Sequence, residues 1–224
     1  GLQKYDIFLN KKEYCTDFLF GKATGVFLRM SSMKSRYDMD SRRGIIKLGR
    51  DFYTGDVLDV APGLLGKTLV IRPADGIVKR FTITETEAYS GRDDKACHAS
   101  RGRTPRTDVM FHEGGKLYVY FVYGMYWMLN VVTGKEDDPQ AALIRGLEGC
   151  NGPGRVARLL GIDRSFYGED LTVSDRIWIE DTGLKPEYLS GPRIGIDYAG
   201  EYWKNVPWRF YIGQGGASKL KVES

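Results

Sequence analysis

The chain has 224 residues, 42% of them hydrophobic, and 33 Lys and Arg against 29 Asp and Glu give a formal net charge of +4. With a mean hydropathy of −0.35 and a pI near 8.8, this reads as a globular protein of one ordinary to large domain. No apolar run approaches a membrane span: the segment Phe18 to Leu28 is broken by Lys22 and too short, and it lacks the layout of a signal peptide. Cys15, Cys97 and Cys150 are odd in number and scattered, so a disulfide framework and the usual zinc spacings are excluded and a reducing, cytoplasmic compartment is indicated. The mild basicity permits a polyanionic partner without demanding one.

Residues 1–44 read as an N-terminal arm of unknown role. Lys, Arg, Ser and Met are mixed through Arg29-Met30-Ser31-Ser32-Met33-Lys34-Ser35-Arg36, with poor periodicity. The start at Gly1 is compatible with processing or an added residue, and Met33 and Met39 are alternative starts. Residues 45–224 read as one domain opening at Leu48-Gly49-Arg50-Asp51-Phe52-Tyr53. Thr54 or Asp56 is placed to cap a short helix through Val57, Leu58, Val60 and Ala61, which Pro62-Gly63 should disturb before Leu64-Leu65-Gly66 closes it. Strands are expected at Leu69–Arg72 and Ile77–Thr86, joined at the Asp75-Gly76 turn.

Further on, Leu117–Tyr123 and Tyr126–Val132 read as two strands around Gly124, followed by a strand at Ala141–Leu147. A short helix is expected at Arg155–Leu160, opened by Gly152-Pro153-Gly154, then strands at Arg176–Glu180, Arg193–Ile196 and Trp208–Ile212. The pattern predicts an α+β fold, a single mixed domain built on antiparallel sheet, with no internal repeat or linker over 48–212.

Three segments carry chemistry. In Phe81-Thr82-Ile83-Thr84-Glu85-Thr86-Glu87-Ala88-Tyr89, period-two alternation puts Phe81, Ile83, Glu85 and Glu87 on one face. Glu87 should then end the strand half-buried at the rim of an apolar pocket, with Tyr89 just beyond it. A carboxylate so held suits a general base; the plainer alternative is an edge-strand Glu facing water. Next, Arg101-Gly102-Arg103-Thr104-Pro105-Arg106 is either a solvated basic loop or a phosphate clamp, since arginine forks match phosphate oxygens. His98, just before it, taken alone reads as a satisfied structural histidine. Third, Tyr118-Val119-Tyr120-Phe121-Val122-Tyr123-Gly124-Met125-Tyr126-Trp127 is a core-like strand whose hairpin must turn at Tyr123-Gly124-Met125. An aromatic at such an exposed tip suits a wedge that unstacks a DNA base step.

In order along the chain, these segments resemble the alkyladenine (3-methyladenine) DNA glycosylases. The likeness runs from Leu48-Gly49-Arg50-Asp51-Phe52-Tyr53 and Glu85-Thr86-Glu87-Ala88-Tyr89 through the basic loop, the aromatic block and Asn130-Val131-Val132-Thr133-Gly134. It continues through Leu143-Ile144-Arg145-Gly146-Leu147-Glu148, Asn151-Gly152-Pro153-Gly154, Gly161-Ile162-Asp163 and Arg193-Ile194-Gly195-Ile196-Asp197-Tyr198-Ala199-Gly200-Glu201. It covers roughly 48–212 and leaves 1–44 out.

The resemblance implies a monofunctional enzyme that flips damaged purines, alkylated or deaminated, from duplex DNA and hydrolyses the N-glycosidic bond, leaving an abasic site. Glu87 would activate the water and Arg145 would help hold it. Tyr89, His98 and Tyr120 would grip the flipped base, Asn130 would crowd the 2-amino group of normal guanine, and Tyr123 would intercalate at the tip of an exposed β-hairpin. Arg101, Arg103, Thr104, Arg106, Met125 and Arg155 would meet DNA. No metal or organic cofactor is implied. The implied partner is double-stranded DNA containing damaged purines and not a membrane, with a monomer acting on DNA in the cytoplasm, or the nucleoid in a bacterium.

Departures from the family pattern are local. The chain is short between Glu148 and Asn151, where many relatives carry a basic helical insertion; this bears on affinity for undamaged DNA. Pro62-Gly63 interrupts a helix that relatives usually continue, Thr107 stands where Asn is common, and Arg155 stands where lysine is frequent. Two other readings remain open from sequence: a catalytically silent binder of distorted DNA, and a hydrolase of free nucleosides or other glycosides. The first has no use for Glu87 and Arg145. The second has no use for a basic loop and a wedge.

Overall fold

The computed structural model describes residues 46–213, so the arm read over 1–44 lies outside the described residues. In chain order the elements are β1 (Ile46–Lys47), α1 (Arg50–Tyr53), α2 (Val57–Gly63), β2 (Thr68–Ile71), β3 (Lys79–Ser90), β4 (Leu117–Val122), β5 (Tyr126–Thr133) and β6 (Gln140–Leu147). They continue with β7 (Cys150–Asn151), α3 (Pro153–Leu160), β8 (Ile177–Asp181), β9 (Leu189–Gly191), α4 (Glu201–Asn205) and β10 (Arg209–Tyr211). Short 3₁₀ turns include His98–Arg101 and Asp108–Phe111. Every strand pair is antiparallel, and the sheet runs β1-β8-β2-β3-β6-β5-β4, with β7 on β6 and β10 bridging β3 and β9. This is the mixed, antiparallel-sheet architecture that the sequence pattern predicts. No helix among the described residues is long and apolar enough to cross a membrane.

β3 is the spine. Its first half pairs with β2 (Leu69 opposite Phe81), and its second half lies between β6 and β10, with Glu87 opposite Leu143 on one side and Arg209 on the other. Alternation along the strands separates two environments. On one face Ile83, Ala88, Val119, Leu129, Val131, Ala142 and Ile144 join residues of α2 and α3, such as Val57, Val60, Val156 and Leu160, in the main core. On the other, Tyr118, Val132 and Ala141 pack with Cys97, Ala99, Val109, Met110 and Phe111 from the 3₁₀ turns, with Tyr89 and Tyr120 against them. Asp56 caps α2 by accepting from Leu58 N–H at 2.7 Å, while Thr54 instead follows α1. Pro62 sits in the last turn of α2, and Leu64 closes it by donating to Val60 O at 2.9 Å. Pro153 occupies the first turn of α3, where its missing N–H costs nothing.

Three sequence expectations change. β2 and β3 do form an antiparallel hairpin through a turn in which Gly76 N–H donates to Pro73 O at 2.9 Å, but β3 starts only at Lys79, leaving Ile77 and Val78 outside it. Arg193–Ile196 is not a strand but a loop after β9, with Gly195 at φ 79°. Most consequentially, β3 carries irregular pairing with β6 at Ile83/Glu85 and Glu85/Thr86. Gly146 lies opposite Glu85, and a Cβ on it would sit 2.9 Å from both Glu85 Cβ and Thr84 Oγ1, so only glycine admits the bulge. The extra residue reverses the phase of the alternation. Ile83 belongs to the main core with Ala88, and Thr86 donates its hydroxyl to Ala61 O at 2.8 Å on that side. Phe81 and Ile83 therefore do not share a face with Glu85 and Glu87.

Candidate active site

The face of the sheet opposite the helices carries a cavity of ≈350 Å³, within the usual range for a small-molecule site. Strand alternation brings Tyr118 and Tyr120 from β4, Asn130 from β5, Arg145 from β6 and Tyr89 from β3 to its wall, and a 3₁₀ turn adds His98. Tyr123 and Pro153 also border it, so the tip of the β4–β5 hairpin and the start of α3 frame the cavity.

Glu87 lies beneath this wall, not at a rim and not half-buried: it has no exposed surface. Tyr89 stands within the strand, which runs to Ser90. One oxygen of Glu87 accepts from Ile194 N–H at 2.8 Å, and the other accepts from the Tyr89 hydroxyl at 2.8 Å. The Arg145 guanidinium lies 3.4 Å from the first oxygen. Burial raises the pKa of Glu87, and the Arg145 charge, the Ile194 N–H, the Tyr89 hydroxyl and the Arg193 charge each oppose the rise without cancelling it. Arg145 is shared: its Nε donates to Glu85 Oε1 at 3.3 Å, and the same oxygen meets Arg209 Nη1 at 3.0 Å.

Apart from the Arg145 guanidinium, the described cavity walls are largely aromatic and uncharged. His98 Nδ1 is 2.8 Å from the Tyr118 hydroxyl, and its ring lies 4.7 Å from that of Tyr120. Burial first, then the Arg106 and Arg101 charges, pull the His98 pKa down to about 4, so the ring is neutral near pH 7. Burial pushes the Tyr118 phenol up to about 12 and raises Tyr89 and Tyr120 as well. Asn130 is buried and donates from Nδ2 to Tyr118 O at 3.0 Å, which fixes its amide in the wall. Such a cavity offers π faces and few charges to whatever enters it, an arrangement suited to a planar, electron-poor or cationic ring.

The basic residues are less uniform. Arg101 is exposed at the end of its turn, and Arg106 is exposed with its guanidinium 5.0 Å over the Tyr120 ring. Arg103 is instead turned to carboxylates, meeting Asp108 at 2.8 Å and Asp137 at 3.4 Å. Thr104 joins Thr107 in a closed turn, its N–H donating to Thr107 Oγ1 at 2.9 Å. Arg155 is exposed and lies over Gly152 at the start of α3. At the hairpin tip Tyr123 is 85% and Met125 60% exposed. Met125 N–H donates to Val122 O at 3.1 Å around Tyr123 at φ 53° and Gly124 at φ 66°. Positive φ at both central residues is the turn that matches strand twist, and it places a bulky L-residue where glycine is favoured.

Sequence reasoning missed the support beneath the site. Arg193 is buried and grips Asp94 with two bonds of 2.5 and 2.9 Å, donates to Ala88 O at 2.9 Å, and stacks 4.8 Å from the Tyr89 ring and 5.1 Å from that of Trp208. The next residue supplies the N–H that meets Glu87. Asp94 and Arg193 are 99 positions apart, and no local pattern pairs them; only their place among the resembling segments could have drawn attention to Arg193.

A family model described as methylpurine-DNA glycosylase matches residues 51–150 and 148–215. Among curated proteins, one from Methanocella arvoryzae is 44% identical over 185 residues, covering 73% of this chain and 91% of the relative. One from Wolbachia pipientis subsp. Culex pipiens is 46% identical over 170 residues, covering 73% and 88%. One from Clostridium botulinum is 42% identical over 193 residues, covering 74% and 95%. All three bear the name "Putative 3-methyladenine DNA glycosylase". With a buried carboxylate under an aromatic cavity framed by an exposed hairpin, and with matches of this extent, the chain belongs to the methylpurine-DNA glycosylase family.

Proposed function

We propose that the protein is a monofunctional glycosylase that excises alkylated or deaminated purines from double-stranded DNA, acting as a monomer. The observation that carries this reading is the fully buried Glu87, ion-paired with Arg145, behind a largely aromatic cavity. Tyr123 enters the base stack and occupies the space the damaged nucleotide leaves, at a cost of a few kcal/mol offset by the base's new contacts. The flipped base stacks on Tyr89, His98 and Tyr120. A cationic alkylpurine gains about 0.5–2 kcal/mol there, and a neutral His98 adds no repulsion. Asn130 crowds a 2-amino group and so discriminates against normal guanine.

As the bond from C1′ to the base nitrogen breaks, its electron pair leaves with the base and positive charge develops on the sugar. The Glu87 carboxylate stabilises that charge and takes a proton from the water whose oxygen bonds to C1′, with Arg145 orienting the water. The products are a free base and an abasic site, with the proton gained by Glu87 passing to solvent, or to the departing base where that base leaves as an anion. Arg101, Arg106 and Arg155, with Met125 at the tip and Thr104 and Arg103 on the loop, bind the backbone.

The test is single-turnover release of hypoxanthine, 1,N6-ethenoadenine or 3-methyladenine from duplex oligonucleotides. Glu87→Gln is expected to slow release by roughly 10²–10⁴-fold with DNA binding retained. Borohydride is expected to trap no covalent imine. Binding without excision of any lesion by the wild type would leave a silent binder of distorted DNA, and excision confined to free nucleosides would leave a nucleoside hydrolase.

A further inference from the structure

Arg145 is shared almost equally between two carboxylates, an arrangement that the reaction proposed above can use. Its Nε lies 3.3 Å from Glu85 Oε1 and its Nη1 3.4 Å from Glu87 Oε1, both longer than an ordinary charged hydrogen bond. A free Arg–carboxylate pair closes to about 2.7–2.9 Å and prefers two parallel bonds. Arg145 does neither with Glu87 nor with Glu85, although all three side chains are largely buried. The competing carboxylate is Glu85 on the same face of β3, brought there by the bulge opposite Gly146. Glu85 is itself divided, because Arg209 Nη1 meets the same oxygen at 3.0 Å while Arg209 Nε holds Pro192 O at 2.9 Å.

We propose that Glu85 and Arg209 are positioning residues: Glu85 shares the Arg145 guanidinium, keeping it from closing onto Glu87 so that it stays available to the water that Glu87 activates, and Arg209 limits how strongly Glu85 pulls. This rests on the reading of Glu87 as the base. Without Glu85, Arg145 closes onto Glu87 as a direct pair and is no longer available to the water. Without Arg209, Glu85 acts on Arg145 undivided and draws it further from Glu87.

The pH profile separates the two changes, and the other groups around Glu87 stay constant between them: Tyr89 on β3, Arg193 in the loop after β9, and Tyr120 on β4. A closer Arg145 and the loss of the Glu85 charge both favour an ionised Glu87; a more distant Arg145 disfavours it.

The experiment measures single-turnover excision of 1,N6-ethenoadenine from duplex DNA against pH for wild type, Glu85→Gln, Arg209→Gln and Glu87→Gln. Glu85→Gln is expected to lower the plateau rate about tenfold, the scale of a misplaced reactant, and to move the acid limb to lower pH. Arg209→Gln is expected to move the limb to higher pH, so the proposal stays testable on that variant if Glu85→Gln does not fold. Limbs that stay in place, or that move the same way in both variants, overturn the positioning role even if rates fall. If Glu87→Gln retains the wild-type rate, the assignment of the base fails instead. If Glu87→Gln is inactive and the limbs do not move, only the positioning inference fails.

Discussion

At Glu87 two electrostatic effects compete, and burial wins: the pKa is raised although a guanidinium, an amide and a phenol all favour the anion. The sign of the linkage follows. Because the folded value is above the ordinary 4.5, Glu87 contributes its full stability below pH 4.5 and loses it as pH rises through the raised value. Glu87→Gln should therefore melt higher than wild type at neutral pH, with the gain fading toward pH 4.5, while excision is lost. His98 has the opposite sign. Its folded value of about 4 lies below 6.5, so its contribution is full above pH 6.5 and is lost as pH falls through 4. His98→Gln should accordingly flatten the loss of stability on the acid side. Thermal unfolding followed from about pH 4 to 8 checks both, and equal slopes in all three proteins would contradict them. The alternation that singled out Glu87 in the sequence does not survive the bulge, which puts Phe81 and Ile83 on the other face from it. The depth of Glu87 was not legible either, since the amide that meets it comes from Ile194, 107 positions away.

Among the elements, the β4–β5 hairpin and the β3 bulge behave differently under substitution. Tyr123 holds φ 53° at the tip, a conformation that costs an L-residue roughly 1–2 kcal/mol. Tyr123→Gly should leave stability unchanged or raise it by about 1 kcal/mol. The same variant should excise stably paired lesions more slowly, with little change on single-stranded DNA. Equal excision by variant and wild type on both substrates would remove the wedge role. Gly146 has no such latitude. Gly146→Ala must push Glu85 or Thr84 away from a 2.9 Å approach, an overpacking that costs about 1–3 kcal/mol, read from the shift of the denaturant midpoint.

The aromatic strand was readable because Tyr118, Tyr120 and Asn130 keep a simple alternation. The bulge was not, because an absent Cβ on Gly146 matters only once β6 lies beside β3. Arg193 shows the same limit. Arg-Ile-Gly-Ile mimics a short strand, yet a buried bidentate pair with Asp94 and the left-handed Gly195 make it a loop.

For the molecule as a whole, a net charge of +4 is small for a DNA-binding protein, so individual arginines carry much of the salt dependence. Arg101 is free to meet a phosphate, and Arg101→Ala should reduce the slope of log K against log salt by about 1. Arg103 must first leave Asp108 and Asp137, and Arg103→Ala should change the slope by less. Equal changes in the two variants would show that those pairs open on DNA. Fold class was the most legible property at this scale, since seven of the ten strands among the described residues announce themselves by turns and alternation, while β1, β7 and β9, of two or three residues each, do not. The meeting of distant segments was the least.

That meeting sets an order in time. Glu87 pairs with β6 by residue 143, but its β10 neighbour, Arg209, and the Ile194 amide belong to the last fifth of the described chain. During synthesis the carboxylate is therefore made early and waits, incompletely housed, until the final strand slots against β3. A chain halted before residue 209 would lack both the strand that flanks β3 at Glu87 and the Arg209 that shares Glu85 with Arg145.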